Sequence, residues 1–320
     1  MNSAHDRGRL LLRTAAVVLC ALIAISIARP QDNSTYNFLQ LDVGARAAAL
    51  GGGSVVVVDD PNAIFYNPAG LATLSQRRFS FGFFKHLLDI NAGHASFGTE
   101  IPNLGFVGAG VEYINYGEFQ RTGEEGEDLG TFGAGELAFT GSYAGLLQPG
   151  LNYGVNAKFI YSSVAEAHSS AAALDFGLQY VAIPDRITLG ISLLNLGTQF
   201  SPYVNTRESL PLDLRIGAAL YPEHLPAALL ISFDRLNEDQ DSFSRRFRSF
   251  SVGLDLVPGP NVHFRVGYNN AARQDLKVLS GSGLAGLSIG GGINTEMYSV
   301  DYAYSSLGQI GAVHRISITF

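Results

Sequence analysis

The sequence lacks tryptophan, has a single cysteine and carries few charged residues. Charged residues make up 15% of the chain, against about 25% in a typical soluble domain. After residue 28 no stretch approaches about 18 uninterrupted apolar residues, so this part of the chain has no candidate transmembrane helix. Any membrane insertion there must therefore use β-strands, whose backbone groups pair with one another.

The first 28 residues have the pattern of a secretory signal peptide. Residues 7–13 hold three arginines, and residues 14–27 form an uncharged, mostly apolar run. This run is shorter than the roughly 20 residues of a spanning helix, which disfavours the alternative of an N-terminal membrane anchor. Small residues at Ser26 and Ala28 predict cleavage after Ala28, and hence export from the cytoplasm.

The predicted mature chain is acidic and has no cysteine. Removing residues 1–28 lowers Lys+Arg from 21 to 18 and Asp+Glu from 28 to 27, so the net charge becomes −9. Such a chain lacks the basic patch of a nucleic-acid-binding protein, and no nucleic-acid partner is expected. Cys20 leaves with the signal, and Leu19 is too large to precede a lipid-modified cysteine. Neither disulfides nor thiolate chemistry are expected.

What the chain does contain is glycine, aromatic residues and a period-2 alternation of apolar and polar residues. It has 37 glycines, 11% aromatic residues and a mean hydropathy of +0.15. The stretches 151–161 and 262–269 show the alternation clearly. Fourteen candidate strands are predicted, centred near residues 83, 95, 110, 140, 157, 176, 191, 216, 231, 251, 266, 288, 300 and 316. Their spacing fits spans of about 9–11 residues joined by alternating short and long connections, as in a transmembrane antiparallel β-barrel.

The polar face of the strands argues against the main soluble alternative, a large β-sandwich. A sandwich exposes this face to bulk water, whereas a barrel lumen favours small residues and charges that compensate each other. The face has many small residues and isolated charges of both signs. We predict that these charges face the lumen: Glu112, Lys158, Asp175, Asp213, Arg215, Asp255, Arg265, Asp301 and Arg315. At the C-terminus, Ile316, Ile318 and Phe320 alternate with polar residues and are predicted to form the strand that the assembly machinery recognises.

Motifs that would indicate catalysis or a cofactor have a simpler explanation here. Residues 281–286 match GxGxxG, but strand alternation follows where a dinucleotide site needs a helix. His94, Ser96 and Ser80 are a possible start for a lipase site, but serine is common on these strands. The acidic stretch 124–128 lacks the ligand spacing of a calcium loop, and the histidines show no metal-binding spacing. No enzymatic activity, cofactor or metal is expected.

Residues 38–74, FLQLDVGARAAALGGGSVVVVDDPNAIFYNPAGLATL, differ in texture from the strands. They contain an alanine-rich stretch that could form a short helix and two breaks, at Asp59–Asn62 and at Asn67-Pro68. This segment resembles the opening of PorV/PorQ-family proteins, outer-membrane barrels of the FadL type associated with type IX secretion. The resemblance is carried by Phe38-Leu39, Gly44, Ala45, Arg46, Leu50, Gly51, Gly52, Asp60, Ala63 and the run Asn67, Pro68, Ala69, Gly70 and Leu71.

The resemblance implies an outer-membrane barrel of about fourteen strands, with the N-terminal segment folded into the lumen as a hatch. The predicted division is signal peptide 1–28, hatch or plug 29–77 and barrel 78–320. The implied function is a non-catalytic accessory of protein secretion or surface attachment, with exported proteins or secretion-machinery proteins and outer-membrane lipid as partners. The alternative is a FadL-like channel that takes up hydrophobic small molecules. A channel should show a continuous apolar track, whereas an accessory should show a plugged lumen with paired charges.

Overall fold

The computed structural model describes residues 34–85, 90–238, 243–276 and 283–320, and it has the predicted architecture. Fourteen antiparallel strands form one closed barrel, in which β1 pairs with β14. The strands are β1 Arg78–Lys85, β2 Asn91–Ile101, β3 Gly105–Thr122, β4 Asp128–Gln148, β5 Leu151–Val164, β6 Ala167–Ile183, β7 Ile187–Ser201, β8 Asp213–Leu220, β9 Ala227–Phe233, β10 Phe250–Gly259, β11 Val262–Asn269, β12 Leu287–Asn294, β13 Ser299–Ser306 and β14 Ala312–Thr319. Each predicted strand centre lies within one of them, so the predicted fold class is confirmed. The predicted signal peptide lies outside the described residues.

The two faces of the wall differ as the alternation predicts. In β5, Val155, Ala157 and Phe159 are exposed on the outside, while Asn156 and Lys158 are buried against the contents of the lumen. Large apolar side chains cover the outer surface all round the barrel, including Phe81, Phe139, Phe176, Phe264 and Ile316. An exposed apolar belt of this extent fits the hydrocarbon core of a bilayer rather than water.

The strands differ in length more than the sequence suggested. Strands β8–β14 have 7–10 residues, whereas β3–β7 have 14–21. About 9–11 residues suffice to cross a bilayer, so β3–β7 continue beyond it as a tall wall. The pairing of β3 with β4 runs on to Thr122 and Asp128, so only residues 123–127 of the acidic region connect the two strands. Alternation signals a strand but does not set its end, because hydrogen bonding can continue outside the membrane.

The two ends of the barrel have different connections. One end, the turn end, carries short turns such as 149–150 and 260–261, together with the start of β1 and the end of β14. The other, the loop end, carries the longer connections 202–212, 234–249 and 270–286. In bacterial outer-membrane barrels short turns face the periplasm and long loops face outward, so the loop end is the outer one.

Residues 34–77, which we call the plug, occupy the lumen. The plug begins at the loop end, where Ser34 pairs with Ser209, and reaches the turn end where β1 begins at Arg78. It contains the short helix Ala45–Ala49 and three 3-10 helices, Asn37–Gln40, Pro61–Phe65 and Pro68–Thr73. Most of its residues are buried. Among the described residues, no helix is long and apolar enough to cross a membrane.

The plug fits because the lumen wall has glycines where the plug touches it. A Cβ placed at Gly154 would come closer than 3.0 Å to the backbone of Pro68, and one at Gly177 would overlap Asn67. The same holds, around the barrel, for Gly98 against Leu71, Gly110 against Ile64, Gly190 against Val55, Gly253 against Leu50, Gly267 against Gly51 and Gly290 against Ala49. We call these eight wall positions the glycine contacts. At Gly154, Gly190, Gly253 and Gly267 the plug atom is a backbone atom, which is the close approach that glycine permits.

Substituting one glycine contact should therefore unseat part of the plug. In the Gly177→Val variant the new side chain overlaps Asn67 and Pro68, and overpacking of this kind costs about 1–3 kcal/mol. We expect a lower midpoint temperature when heat unfolding is followed by the gel mobility of the barrel in detergent. The matched control is Gly141→Val on β4, where an added Cβ meets no atom within 4 Å. Equal midpoints for the two variants would contradict the tight fit.

Candidate functional site

The plug segment that carries the sequence resemblance is built on two capped turns. Asp60 caps Pro61–Phe65 by accepting a hydrogen bond from Asn62 N at 2.9 Å, and Asn67 caps Pro68–Thr73 by accepting from Ala69 N at 3.1 Å. Each cap precedes a proline, whose missing N–H and fixed φ suit the first helical position. The two predicted breaks are therefore helix starts inside the lumen.

Asn67 also ties the plug to the wall. Its Nδ2 donates to Val55 O within the plug at 2.8 Å and to Leu178 O of β6 at 3.1 Å. Asn67 is almost fully buried, so the hydrogen bonds satisfy an amide that would otherwise be costly to bury. Ala69 and Gly70 follow it; Ala69 is fully buried, and Gly70 lies against Ala63 and the carbonyl of Val57.

A second set of hydrogen bonds joins the plug to the first two strands and to the last strand of the barrel. Asn62 donates from Nδ2 to Ser80 Oγ of β1 at 3.0 Å and accepts from Ser96 Oγ of β2 at 2.8 Å. Ala45 N donates to Ser317 Oγ of β14 at 2.9 Å, and Arg315 Nε donates to Asp42 O at 3.0 Å. The plug thus bonds to both sides of the seam where the barrel closes. The sequence did not predict these contacts: Ser80 and Ser96 were considered only for a lipase site, and neither Asn62 nor Ser317 carries a distinguishing signal.

The remaining residues of the resembling segment shape the plug itself. Gly44 N donates to the Tyr66 hydroxyl at 3.0 Å, and Gly51 and Gly52 have φ of +72° and +85°, which favours glycine. Arg46 Nη1 donates to Val58 O at 3.2 Å and lies 3.7 Å from Asp60 Oδ2. Burial raises the pKa of Asp60, while Arg46 acts in the opposite direction. Arg46 is therefore the main group that favours the charged form of this carboxylate, followed by the hydrogen bond from Asn62 N.

All nine predicted lumen charges lie on the inner face and are buried. Seven of them form three clusters of ion pairs. On β5 and β6, Lys158 Nζ lies 2.9 Å from Asp175 Oδ2, and Asn156 and Asn195 bond to the same pair. On β8, Arg215 Nε lies 2.7 Å from Asp213 Oδ2.

The third cluster lies on β10, β11 and β13. Arg265 bridges Asp255 at 3.2 Å and Asp301 at 2.5 Å, and His263 Nδ1 lies 2.9 Å from Asp255 Oδ1. The two remaining charges, Glu112 and Arg315, have no ion pair within 4.0 Å among the described residues. Seven of the nine lumen charges are therefore paired, within β8 for Asp213 and Arg215 and between strands for the other five.

The predicted assembly strand is the last of the barrel. Ile316 and Ile318 are exposed on the outer face of β14. Phe320 follows the strand, exchanges backbone hydrogen bonds with Phe79 and stacks on Phe81 with ring centroids 5.8 Å apart. The recognition role of these residues remains a prediction.

The structure gives the surroundings of the residues that were considered as possible enzyme or cofactor sites. Strand β12 begins directly after Gly286, where a dinucleotide fingerprint would need a helix. Ser96 bonds to Asn62, and neither ring nitrogen of His94 has a hydrogen-bond partner in the described chain. Within the described ranges, no group of three or more His, Cys, Asp or Glu is arranged to hold a metal ion.

Two polar cavities lie on either side of the plug. The loop-end vestibule, of about 320 Å³, lies between the plug and β8–β14. Its charged lining residues are Asp42, Asp213, Arg215, Asp234, Arg235, Asp275 and Arg315. The turn-end vestibule, of about 390 Å³, lies around Arg46, Asp60, Arg265 and the turn 295–298. Neither cavity supplies the apolar track that a hydrophobic substrate would need through the centre of the lumen.

An apolar cavity instead lies on the outer face of the barrel wall, within the exposed apolar belt. This wall recess, of about 310 Å³, is lined mostly by apolar side chains of β5–β8: Tyr153, Val155, Phe176, Leu178, Ile191, Leu193 and Leu214. Gly154, Gly177 and Ser192 also line it. Gly154 and Gly177 are cross-strand partners and the glycine contacts of Pro68 and Asn67, so only backbone separates the recess from the plug there.

Several solved structures share this architecture. The Pseudomonas putida toluene transporter TodX matches with a TM-score of 0.56 and 14% identity, covering 91% of this chain and 98% of its own. The Ralstonia pickettii toluene transporter TbuX matches with a TM-score of 0.57 and 13% identity over 86% and 96% of the two chains. A Pseudomonas aeruginosa FadL homologue matches with a TM-score of 0.54 and 11% identity over 87% and 98%.

No family model matches the chain, and no curated protein matches it. The likeness to the solved structures shows that the chain has the fold of FadL-like outer-membrane barrels of fourteen strands. Two of these neighbours are named as transporters, and none of the three is named as an enzyme.

The buried pair Lys158–Asp175 should behave as a unit. Replacing Asp175 with Leu leaves the Lys158 ammonium buried without its partner, which should cost about 3–5 kcal/mol in the free energy of unfolding. The double variant Lys158→Met with Asp175→Leu should recover most of this loss. Guanidinium unfolding in detergent gives the free energies of unfolding of the unchanged chain, the single variant and the double variant. If the double variant is no more stable than Asp175→Leu, the loss of stability does not come from the unpaired Lys158 ammonium.

Proposed function

We propose that this chain is an outer-membrane channel that lets small hydrophobic molecules pass the plug by way of the wall recess. The position of the recess carries the proposal. The recess is a cavity of about 310 Å³ lined mostly by apolar side chains, and it lies directly outside the Asn67–Ala69 turn of the plug. A hydrophobic molecule gains by leaving water for such a site, whereas either vestibule offers it polar and charged groups.

At the recess the plug packs closely against Gly154 and Gly177, and two hydrogen bonds tie it to the wall. At Leu178 the tie is one hydrogen bond from Asn67, and Ser192 Oγ donates to Tyr66 O at 2.8 Å. A small displacement of the Asn67–Ala69 turn would break these contacts and open a gap facing Gly154 and Gly177. The structural neighbours support this function, because two of them are named as toluene transporters.

In this account residues 1–28 are a signal peptide, residues 29–77 a hatch segment that contains the plug, and residues 78–320 a barrel in the outer membrane. The paired charges of the wall and the plug residues Gly44, Arg46, Gly51, Gly52, Asp60 and Asn67 to Gly70 hold the closed form. The chain binds its substrate through shape and apolar contact and performs no catalysis.

A second function, an accessory of protein secretion of the PorV/PorQ type, is favoured by different observations. The plug is bonded to many strands, and the lumen charges are paired, which suits a permanently closed barrel. The tall wall β3–β7 would present a surface to an exported protein at the loop end. The resembling segment 38–74 is the sequence argument for it.

Filling the recess should slow the entry of hydrophobic molecules. The Ile191→Trp variant adds a large side chain to the recess, whereas Ile289→Trp adds the same side chain to the exposed outer face of β12. We measure the entry of N-phenylnaphthylamine into cells with an intact lipopolysaccharide leaflet that express equal amounts of each barrel. Ile191→Trp should reduce the entry rate about tenfold, a change of about 1.4 kcal/mol in the barrier, and Ile289→Trp should not.

Entry no faster than in cells without the protein would contradict the channel. In that case affinity isolation from outer membranes decides for the second function, if secretion-machinery proteins are recovered with the barrel.

A further inference from the structure

The charges of the loop-end vestibule are not all paired with each other. Arg215 pairs with Asp213 at 2.7 Å and lies 4.0 Å from Asp234, and Arg235 pairs with Asp275 at 3.2 Å. This leaves one guanidinium and one carboxylate of the vestibule lining, those of Arg315 and Asp42, without a charged partner within 4.0 Å among the described residues.

Arg315 is a buried cation that faces the vestibule. Its residue is 7% exposed, and its guanidinium lies over the Phe84 ring at 4.6 Å from the ring centroid. Nε donates to Asp42 O at 3.0 Å and Nη1 to Ser305 Oγ at 3.3 Å. These contacts fix the plane of the guanidinium but offer it no anion. A buried arginine in this state still has donors for a carboxylate, which it binds best in a planar, two-pronged arrangement.

Asp42 supplies the opposite charge from the plug. Its carboxylate lies against Gly52, where a Cβ would come 2.9 Å from Oδ1, and it accepts no hydrogen bond from the described residues. Burial raises the pKa of Asp42, while Arg315 and Arg215 act in the opposite direction. An ammonium group placed beside Asp42 would favour its charged form further.

The residues that line the vestibule restrict which ligand could pair with both Arg315 and Asp42. Its lining has four aspartates and three arginines, so a simple anion would meet an excess of carboxylates. A simple cation would leave Arg315 unpaired. Leu41, Leu307 and Val313 add apolar surface beside the two charges. The volume of about 320 Å³ lies at the lower end of the roughly 300–1,000 Å³ of small-molecule sites.

We propose that the loop-end vestibule binds a small zwitterion with an apolar side chain, an aliphatic amino acid. Its carboxylate bonds to Arg315, its ammonium group to Asp42, and its side chain lies on Leu41, Leu307 and Val313. This site is separate from the wall recess and does not depend on passage through it. Because Asp42 belongs to the plug and Arg315 to the barrel wall, the ligand joins the two.

The test is calorimetric titration of the full chain in a non-ionic detergent with three ligands of one shape. Leucine carries both charges, 3-methylbutylamine only the ammonium group and 4-methylpentanoate only the carboxylate. We expect leucine to bind at least about tenfold more tightly than either analogue, since each buried ion pair that is lost costs more than about 1.4 kcal/mol.

Two variants assign the ends of the ligand. Asp42→Asn, which keeps the shape of the side chain, should reduce leucine binding to the level of 4-methylpentanoate. Arg315→Met should reduce it to the level of 3-methylbutylamine. The control is Arg121→Met at the rim of the tall wall, where Arg121 pairs with Glu166 at 2.8 Å outside the vestibule. This variant should bind leucine as the unchanged chain does.

The proposal is overturned if either single-charge analogue binds as tightly as leucine, if leucine does not bind, or if Asp42→Asn leaves leucine binding unchanged. If Arg315→Met does not fold, the three ligands on the unchanged chain and on Asp42→Asn still decide. Failure of this site would leave the channel proposal untouched, since the recess is tested by Ile191→Trp.

Discussion

A narrow barrel can enclose a folded segment only where its wall has glycines, because a side chain there would occupy the space of the segment. The glycine contacts meet this constraint: Gly154 and Gly177 admit the Asn67-Pro68 turn, and Gly253 and Gly267 admit Leu50 and Gly51. With any larger residue at these positions the plug would have to move toward the centre of the lumen. The closed state, the two separate vestibules and the thin wall at the recess all depend on this close fit.

Polar groups then make the fit specific. Buried amides and hydroxyls of the wall bond to plug carbonyls, as Asn156 does to Ile64 O and Gln179 to Val56 O. Each such bond satisfies a group that would be costly to bury alone. Charged side chains of the wall pair with one another, as Lys158 does with Asp175. The lumen is therefore a protein interior with polar walls rather than a water-filled pore.

Much of the fold follows from the sequence, because side-chain alternation is local. It predicted the fourteen strands and placed residues such as Glu112 and Arg265 on the polar face. It did not predict the tall wall, since β3 and β4 remain paired beyond the bilayer. Nor did it show which glycine meets which plug residue, or that Arg265 pairs with Asp301 across 36 positions. Those facts depend on register and closure, which join residues far apart in the chain. The wall recess likewise arises where β5–β8 lie side by side.

The central claim is that the plug closes the lumen to ions while the wall recess serves hydrophobic molecules. Single-channel recording in planar bilayers tests it most directly, with the full chain compared with a chain lacking residues 38–70. The account predicts almost no ion current through the full barrel and a steady, large conductance once the plug is removed. Equal conductance of the two chains would contradict it.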